Sequence, residues 1–322
     1  MALNGKPVVA VTAPEYRKGS DIFASASDFE MLPAPSGEAE LAAWIRDHKA
    51  YAAVVGTAPY RDELYRALPS DGVVARFGVG CDGIDRAAAH KNGVHCCNTP
   101  GVLDDAVAEF TVGLLISTAR RIAESGGEVR TGGWPQPSGM ELRGRKLLVV
   151  GCGAIGCRVA AIAKAAFGMV IAGCGITPDN PRPDCFDEYS TDFAAVASGV
   201  SVVSLHIPDM PQNRDFMNRE RLACLPPDAI VLNTARGAVL DENALYDAVA
   251  AGKLSGAGLD VFKHEPYIPQ DPARDLRTLA NVVMTPHLAG NTRESCRRVA
   301  ERVMANLRHA VRGAYGCMDL VE

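Results

Sequence analysis

Leu147 Leu148 Val149 Val150 Gly151 Cys152 Gly153 Ala154 Ile155 Gly156 decides how this chain folds. The apolar run reads as a buried strand, the G-x-G-x-x-G as a turn, and the alanine-rich residues 157–167 as a helix. Each glycine has its own reason to be there. Gly151 permits the tight turn, Gly153 lets a pyrophosphate approach the backbone, and Gly156 packs the helix against the strand. The helix N-terminus, with Ala154 and Ile155 in its first turn, then faces the phosphates. Alone, such a motif is ordinary turn chemistry; the strand before it and the helix after it make it a dinucleotide site.

Working outward, Val8–Thr12 and residues 52–56, 73–77 and 93–96 read as short strands separated by helices, a first α/β unit. A crossover at 99–101 leads into a long apolar helix over 106–122, and the glycine- and proline-rich stretch 126–139 around Trp134 reads as a loop. A second α/β unit runs to 290, and a last helix over 294–312 returns to the first. The expected fold is α/β with two doubly wound Rossmann-like domains. Residues 99–290 form the dinucleotide-binding domain, and 1–98 with 291–322 form a discontinuous, flavodoxin-like substrate domain. The two would enclose a cleft at their strand C-termini, where open sheets bind ligands.

Three residues in the second unit each follow an apolar run that reads as a strand. Arg236 stands in Asn233 Thr234 Ala235 Arg236 Gly237, Glu265 closes Leu259 Asp260 Val261 Phe262 Lys263 His264 Glu265 Pro266, and His287 stands in Val283 Met284 Thr285 Pro286 His287 Leu288 Ala289 Gly290. Reduction of a 2-oxo acid needs these types. Arginine grips a carboxylate with two prongs, histidine exchanges a proton near neutrality, and a carboxylate beside histidine favours its charged form and fixes its orientation. Singly, each has a bland reading, since a lone histidine after proline is usually a loop or core residue and a lone arginine or glutamate a solvated one. The joint pattern points to a ketone-reducing site.

Along nearly its whole length the chain resembles the D-isomer-specific 2-hydroxyacid dehydrogenase family. The resemblance rests on Arg76 Phe77 Gly78 Val79 Gly80 Cys81 Asp82 Gly83 Ile84 Asp85, Asn98 Thr99 Pro100 Gly101, Val107 Ala108 Glu109, the glycine fingerprint, Ser204 Leu205 His206 Ile207 Pro208 and the three settings above, in the family's order. It implies Arg236 as substrate-carboxylate anchor, Glu265 as partner of the histidine, and His287 as general acid in reduction and base in oxidation. Val79 and Gly80 would offer backbone N–H groups to the carboxylate. Nicotinamide contacts are implied at Thr234, Ala235, Arg236, Asp260 and from His287 to Gly290, phosphate-side contacts at Ile155, Gly156 and the turn His206, Ile207, Pro208, and a further contact at Thr111. Asp260 as a strand-end cap and His206 as a packed turn residue are the structural alternatives.

One position departs from the family. The acidic residue that binds the adenosine ribose falls on Gly175, or on Cys174 if the helix is counted differently, and neither is charged. A missing carboxylate removes repulsion against a 2′-phosphate, and Thr177 and Arg182 lie near enough in sequence to approach one; Asp179 argues the other way. The cofactor therefore stays open between NAD and NADP, leaning to NADP, and Gly175→Asp is expected to move the preference to NADH.

Composition sets the bounds. A 322-residue chain with 48% hydrophobic residues and a formal net charge of −5 has room for two domains and no basic field for nucleic acid. Its 10 cysteines show no C-x-x-C and no metal-ligand spacing, so they read as reduced thiols and no metal is expected; the resemblance puts Cys81 and Cys152 near the cleft, where oxidation would impair binding. The first apolar run is too short for a signal peptide or a membrane span. Together with the resemblance, which implies the loop around Trp134 at a subunit contact, these readings lead us to expect a cytoplasmic homodimer that reduces a small 2-oxo acid of the glyoxylate or hydroxypyruvate kind to the D-2-hydroxy acid. The alternatives are oxidation of a phosphorylated or sulfonated 2-hydroxy acid and, on fold analogy alone, a dinucleotide-sensing corepressor.

Overall fold

The computed structural model describes residues 5–175 and 183–321. Among them, two compact units separate, one made of the segments up to Leu103 and from Asn291, the other Asp104–Gly290. Each is built on one all-parallel sheet. In the first unit β1 (Val8–Thr12), β2 (Glu30–Ala34), β3 (Ala52–Val55), β4 (Val73–Arg76) and β5 (His95–Cys97) lie in the order β2-β1-β3-β4-β5, the flavodoxin-like arrangement. In the second, β6 (Lys146–Val150), β7 (Val170–Cys174), β8 (Glu188–Ser190), β9 (Val200–Leu205), β10 (Ile230–Asn233), β11 (Gly256–Leu259) and β12 (Val282–Met284) lie in the order β12-β11-β10-β9-β6-β7-β8. The winding reverses between β6 and β9. That switch point opens a crevice at the strand ends, and the residues after β6 and β9 are the fingerprint and the His206 turn.

Parallel sheets are covered on both faces, which is why these strands are apolar runs with few polar interruptions. Successive side chains alternate between faces. Val9, Val11 and Val54 pack with Val299, Val303 and Leu307 of the helix Arg293–Val311, while Val8, Ala10 and Val55 pack with Leu41, Ile45 and Leu64. In the second unit Leu148, Val150 and Val203 enter one core, and Leu147, Val149 and Val202 enter the other with Leu115 and Val159. The helix Arg293–Val311 opens on a capping box between Thr292 and Ser295.

Two elements differ from the sequence expectation. β2 is an edge strand carrying Pro33, whose missing N–H is tolerated only at an edge, so its pattern is weak. The stretch expected as a loop from 126 instead begins inside the helix Ile122–Arg130, which runs through Gly126 and Gly127. Glu124 in its first turn and Arg130 in its last complement the helix dipole, and Arg121 pairs with Glu124 at 2.7 Å. Among the described residues no helix is long and apolar enough to cross a membrane.

Candidate active site

Gly151 has a φ of 93°, and a Cβ on it would lie 2.5 Å from the His206 carbonyl oxygen. On Gly156 a Cβ would lie 2.1 Å from the Gly151 carbonyl, so both positions exclude any side chain. Gly153 differs. It is exposed, a Cβ there meets nothing within 4 Å, and it caps the helix Ala154–Phe167 without a side-chain hydrogen bond. Exposed Ala154 and half-buried Ile155 follow, so the first-turn N–H groups open onto free space at the positive end of a helix dipole. This cradle fits a pyrophosphate.

The turn after β9 braces that cradle. The His206 N–H donates to the Val150 carbonyl at 2.7 Å, its Nε2 lies 2.8 Å from Ser204 Oγ, and burial pushes the imidazole down to about 4, leaving it neutral. Ile207 is buried, with Cγ2 2.8 Å from the position of a Cβ on Gly151, while Pro208 is exposed. At the end of β7, Gly175 is buried and its N–H donates to the Ser190 carbonyl at 3.0 Å. Thr177, Asp179 and Arg182, which bear on the cofactor argument, lie outside the described residues.

Asn233, the last residue of β10, shapes the arginine turn: its Oδ1 accepts from the Ala235 N–H at 3.0 Å and its Nδ2 donates to the Arg236 carbonyl at 2.8 Å. Thr234 and Thr111, both buried, meet through their hydroxyls at 2.8 Å. Gly237 then sits against the backbone before Glu265, since a Cβ on it would lie 1.9 Å from the Phe262 carbonyl carbon. Half-buried Arg236 is thereby held close enough for its charge to act on Glu265.

Glu265 accepts from the Phe262 N–H at 3.0 Å through Oε1 and lies 2.7 Å from His287 Nδ1 through Oε2. Burial alone would push this carboxyl up, but the hydrogen bonds from His287 and Phe262 and the charges of His287 and Arg236 together hold it below the ordinary carboxylate value. It is ionised at neutral pH. With Nδ1 engaged, Nε2 is the imidazole nitrogen left to exchange a proton with a substrate. Replacing Glu265 by Gln removes the charge that favours the imidazolium. Reduction consumes the protonated form, so the alkaline limb of its kcat profile should move to lower pH; an unmoved profile would leave Glu265 a packing residue.

His287 itself has a φ of 51°, a conformation a non-glycine side chain holds only under constraint. The constraint is Asp260. Fully buried, it takes the His287 N–H on its carbonyl at 2.8 Å, the Thr285 hydroxyl and Leu288 N–H on Oδ1 at 2.7 and 2.9 Å, and the Ala289 N–H on Oδ2 at 2.8 Å. The turn that ends at Gly290 is thus clamped to the end of β11.

In the first unit, the carbonyls of Val79 and Gly80 are tied inward, to Asn98 Nδ2 at 2.7 Å and Arg76 Nε at 2.9 Å, and buried Arg76 also donates to the Phe77 carbonyl. No backbone carbonyl among the described residues accepts from their N–H groups. The Cys81 thiol is pushed up by burial, and that of Cys152 up to about 12, so both resist becoming thiolates.

Two positioning residues escaped the sequence reading. Asn233 had a visible signal, a turn-forming side chain at a strand end. Glu242 had none: its Oε1 accepts from the distant Lys263 N–H at 2.7 Å, its Oε2 is buried without a partner among the described residues, and burial pushes its carboxyl up.

The NAD-binding domain of the D-isomer-specific 2-hydroxyacid dehydrogenases matches residues 112–289 as a family model. The chain belongs to this dehydrogenase family. A glyoxylate reductase of Korarchaeum cryptofilum is 39% identical over 261 residues, 78% of this chain and 76% of that protein. A hydroxypyruvate reductase of Thermotoga maritima is 41% identical over 230 residues, 70% of this chain and 73% of the relative. Among solved structures, the NADPH-dependent glyoxylate/hydroxypyruvate reductase of Sinorhizobium meliloti in complex with NADP and malonate superposes with a TM-score of 0.80 at 30% identity, covering 95% of this chain and 93% of that one. This 2-hydroxyacid dehydrogenase is an oxidoreductase that acts on CH–OH donors with NAD(P) and interconverts 2-oxo and 2-hydroxy acids.

Proposed function

We propose that this dehydrogenase reduces glyoxylate, hydroxypyruvate or a similarly small 2-oxo acid to the D-2-hydroxy acid, with NADPH serving at least as well as NADH. The observation that carries it is the 2.7 Å pair of His287 and ionised Glu265 within reach of the Arg236 charge. The reduced nicotinamide supplies the hydride. Arg236 grips the substrate carboxylate and polarises the ketone, helped by the N–H groups of Val79 and Gly80; His287 Nε2 gives its proton to the developing alkoxide, and Glu265 stabilises the imidazolium before transfer. Gly151, Gly153, Ala154, Ile155 and Gly156 receive the pyrophosphate, with His206, Ile207 and Pro208 bracing them, while Thr111, Thr234, Ala235, Asp260 and Gly290 shape the nicotinamide side. Residues 1–98 with 291–322 would then be the substrate domain and 99–290 the dinucleotide-binding one. A homodimer is part of the reading, supported by Trp134, 79% exposed in the segment the resemblance puts at the subunit contact. So is a cytoplasmic setting, supported by ten unpaired cysteines.

The lean toward NADPH rests on uncharged Gly175. Steady-state assays of both coenzymes against glyoxylate, hydroxypyruvate and a phosphorylated 2-oxo acid test all of this. Turnover of the small acids with a kcat/KM for NADPH at or above that for NADH is expected. Turnover of the phosphorylated acid alone would replace the substrate class, and a strong preference for NADH would overturn the coenzyme choice.

A further inference from the structure

We propose that Tyr189 is the coenzyme-selecting residue of this dehydrogenase: its hydroxyl stands at the end of β7 where a ribose-binding carboxylate would arise, and presents a neutral donor to the adenosine 2′-position. This rests on the dinucleotide-binding reading of the second unit. The placement comes from the sheet. β8 pairs with β7 so that Tyr189 lies opposite Gly173 and Ser190 opposite Cys174. Gly173 and Gly175 point to one face, being two apart on an extended chain, and the tyrosine ring covers both. A Cβ on Gly173 would lie 2.9 Å from Tyr189 Cδ2, and one on Gly175 would lie 2.1 Å from its Oη and 2.8 Å from its Cζ. The ring runs toward the strand's C-terminal end, and the hydroxyl fills the space a side chain on residue 175 would need.

The same patch joins the fingerprint. A Cβ on Gly173 would also lie 3.0 Å from Cys152 Sγ, and the Gly151 N–H donates to the Cys174 carbonyl at 2.9 Å. The glycine turn that cradles the pyrophosphate and the end of β7, over which the hydroxyl lies, are therefore hydrogen-bonded neighbours. Tyr189 is half-buried, burial pushes its phenol up and keeps it protonated, and among the described residues nothing hydrogen-bonds its hydroxyl. A phenol O–H donates to a phosphate oxygen and carries no charge to repel it, whereas toward NAD it exchanges one neutral hydrogen bond with the 2′-hydroxyl.

Direct binding of NADPH and NADH to the full chain, followed by nicotinamide fluorescence, tests this without any substrate. Tyr189→Phe keeps the ring and removes the donor. Its Kd for NADPH should rise roughly tenfold and that for NADH by no more than about threefold, as a hydrogen bond to a charged group outweighs one between neutral groups. Unchanged constants, or equal weakening of both coenzymes, would reduce Tyr189 to a packing residue and overturn the proposal. A second pair of variants probes the occupied space. Gly175→Asp alone, expected from the sequence to suffice as a switch, drives its side chain into the tyrosine hydroxyl and should weaken both coenzymes. Combined with Tyr189→Ala, it should favour NADH over NADPH by about tenfold or more relative to the wild type. Equal NADH binding by the single and double variants would also overturn the proposal. If the wild type binds neither coenzyme, the dinucleotide reading falls and takes this one with it.

Discussion

His287→Ala should lower kcat for 2-oxo acid reduction by roughly a hundredfold or more, the scale of lost general acid catalysis, with coenzyme Kd nearly unchanged. The imidazole is exposed and hydrogen-bonds Glu265, so truncation removes no core packing. The Asp260 clamp on the turn acts on the main chain of residues 287–289, which the substitution leaves in place. The fold should therefore survive with its melting temperature little changed, and the loss should sit in the proton-transfer step. Turnover near the wild-type level would remove His287 from that step.

Arg236→Lys should be nearly as damaging, because an ammonium is a point donor and cannot reproduce the two-pronged grip on a carboxylate. The guanidinium is positioned by its own backbone, with Nη1 donating to the Ala235 carbonyl at 2.6 Å while Asn233 fixes the turn on both sides. A lysine on that turn keeps the charge beside Glu265 but aims one nitrogen where two are needed. We expect kcat/KM for glyoxylate to fall by roughly a hundredfold, with a raised KM contributing and coenzyme Kd unaffected. Retained kcat/KM in steady-state assays would show that the carboxylate is held elsewhere.

Much of this was legible in the chain itself. Strands buried on both faces read as apolar runs, so β1, β3, β4, β6 and β10 were visible, and Gly151 and Gly156 declared contacts that the fold makes. Arg236, Glu265 and His287 were readable because each closes a strand and because the three types belong to one reaction. What escaped depends on pairing between distant segments. β2 gains its conformation from β1 alone. Glu242 matters through an N–H twenty-one positions away in the chain. Tyr189 lies over Gly173 and Gly175 only once β8 has docked in register on β7. The helix over Gly126 and Gly127 escaped for the opposite reason: local propensity argued against it, and end charges with a neighbouring ion pair favoured it.

The helix Arg293–Val311 has a consequence for how the protein is made. It supplies Val299, Ala300, Val303, Met304 and Leu307 to the core that β1, β3 and β4 need on one face. Those strands leave the ribosome roughly 220 to 285 residues before that helix begins, a wait of about 10–60 s at ordinary elongation rates. The Asp104–Gly290 unit is continuous in the chain and completes its own core during that interval. Until then the early strands should carry an uncovered apolar face, and the newborn N-terminal segment is expected to need protection from aggregation until the helix Arg293–Val311 docks.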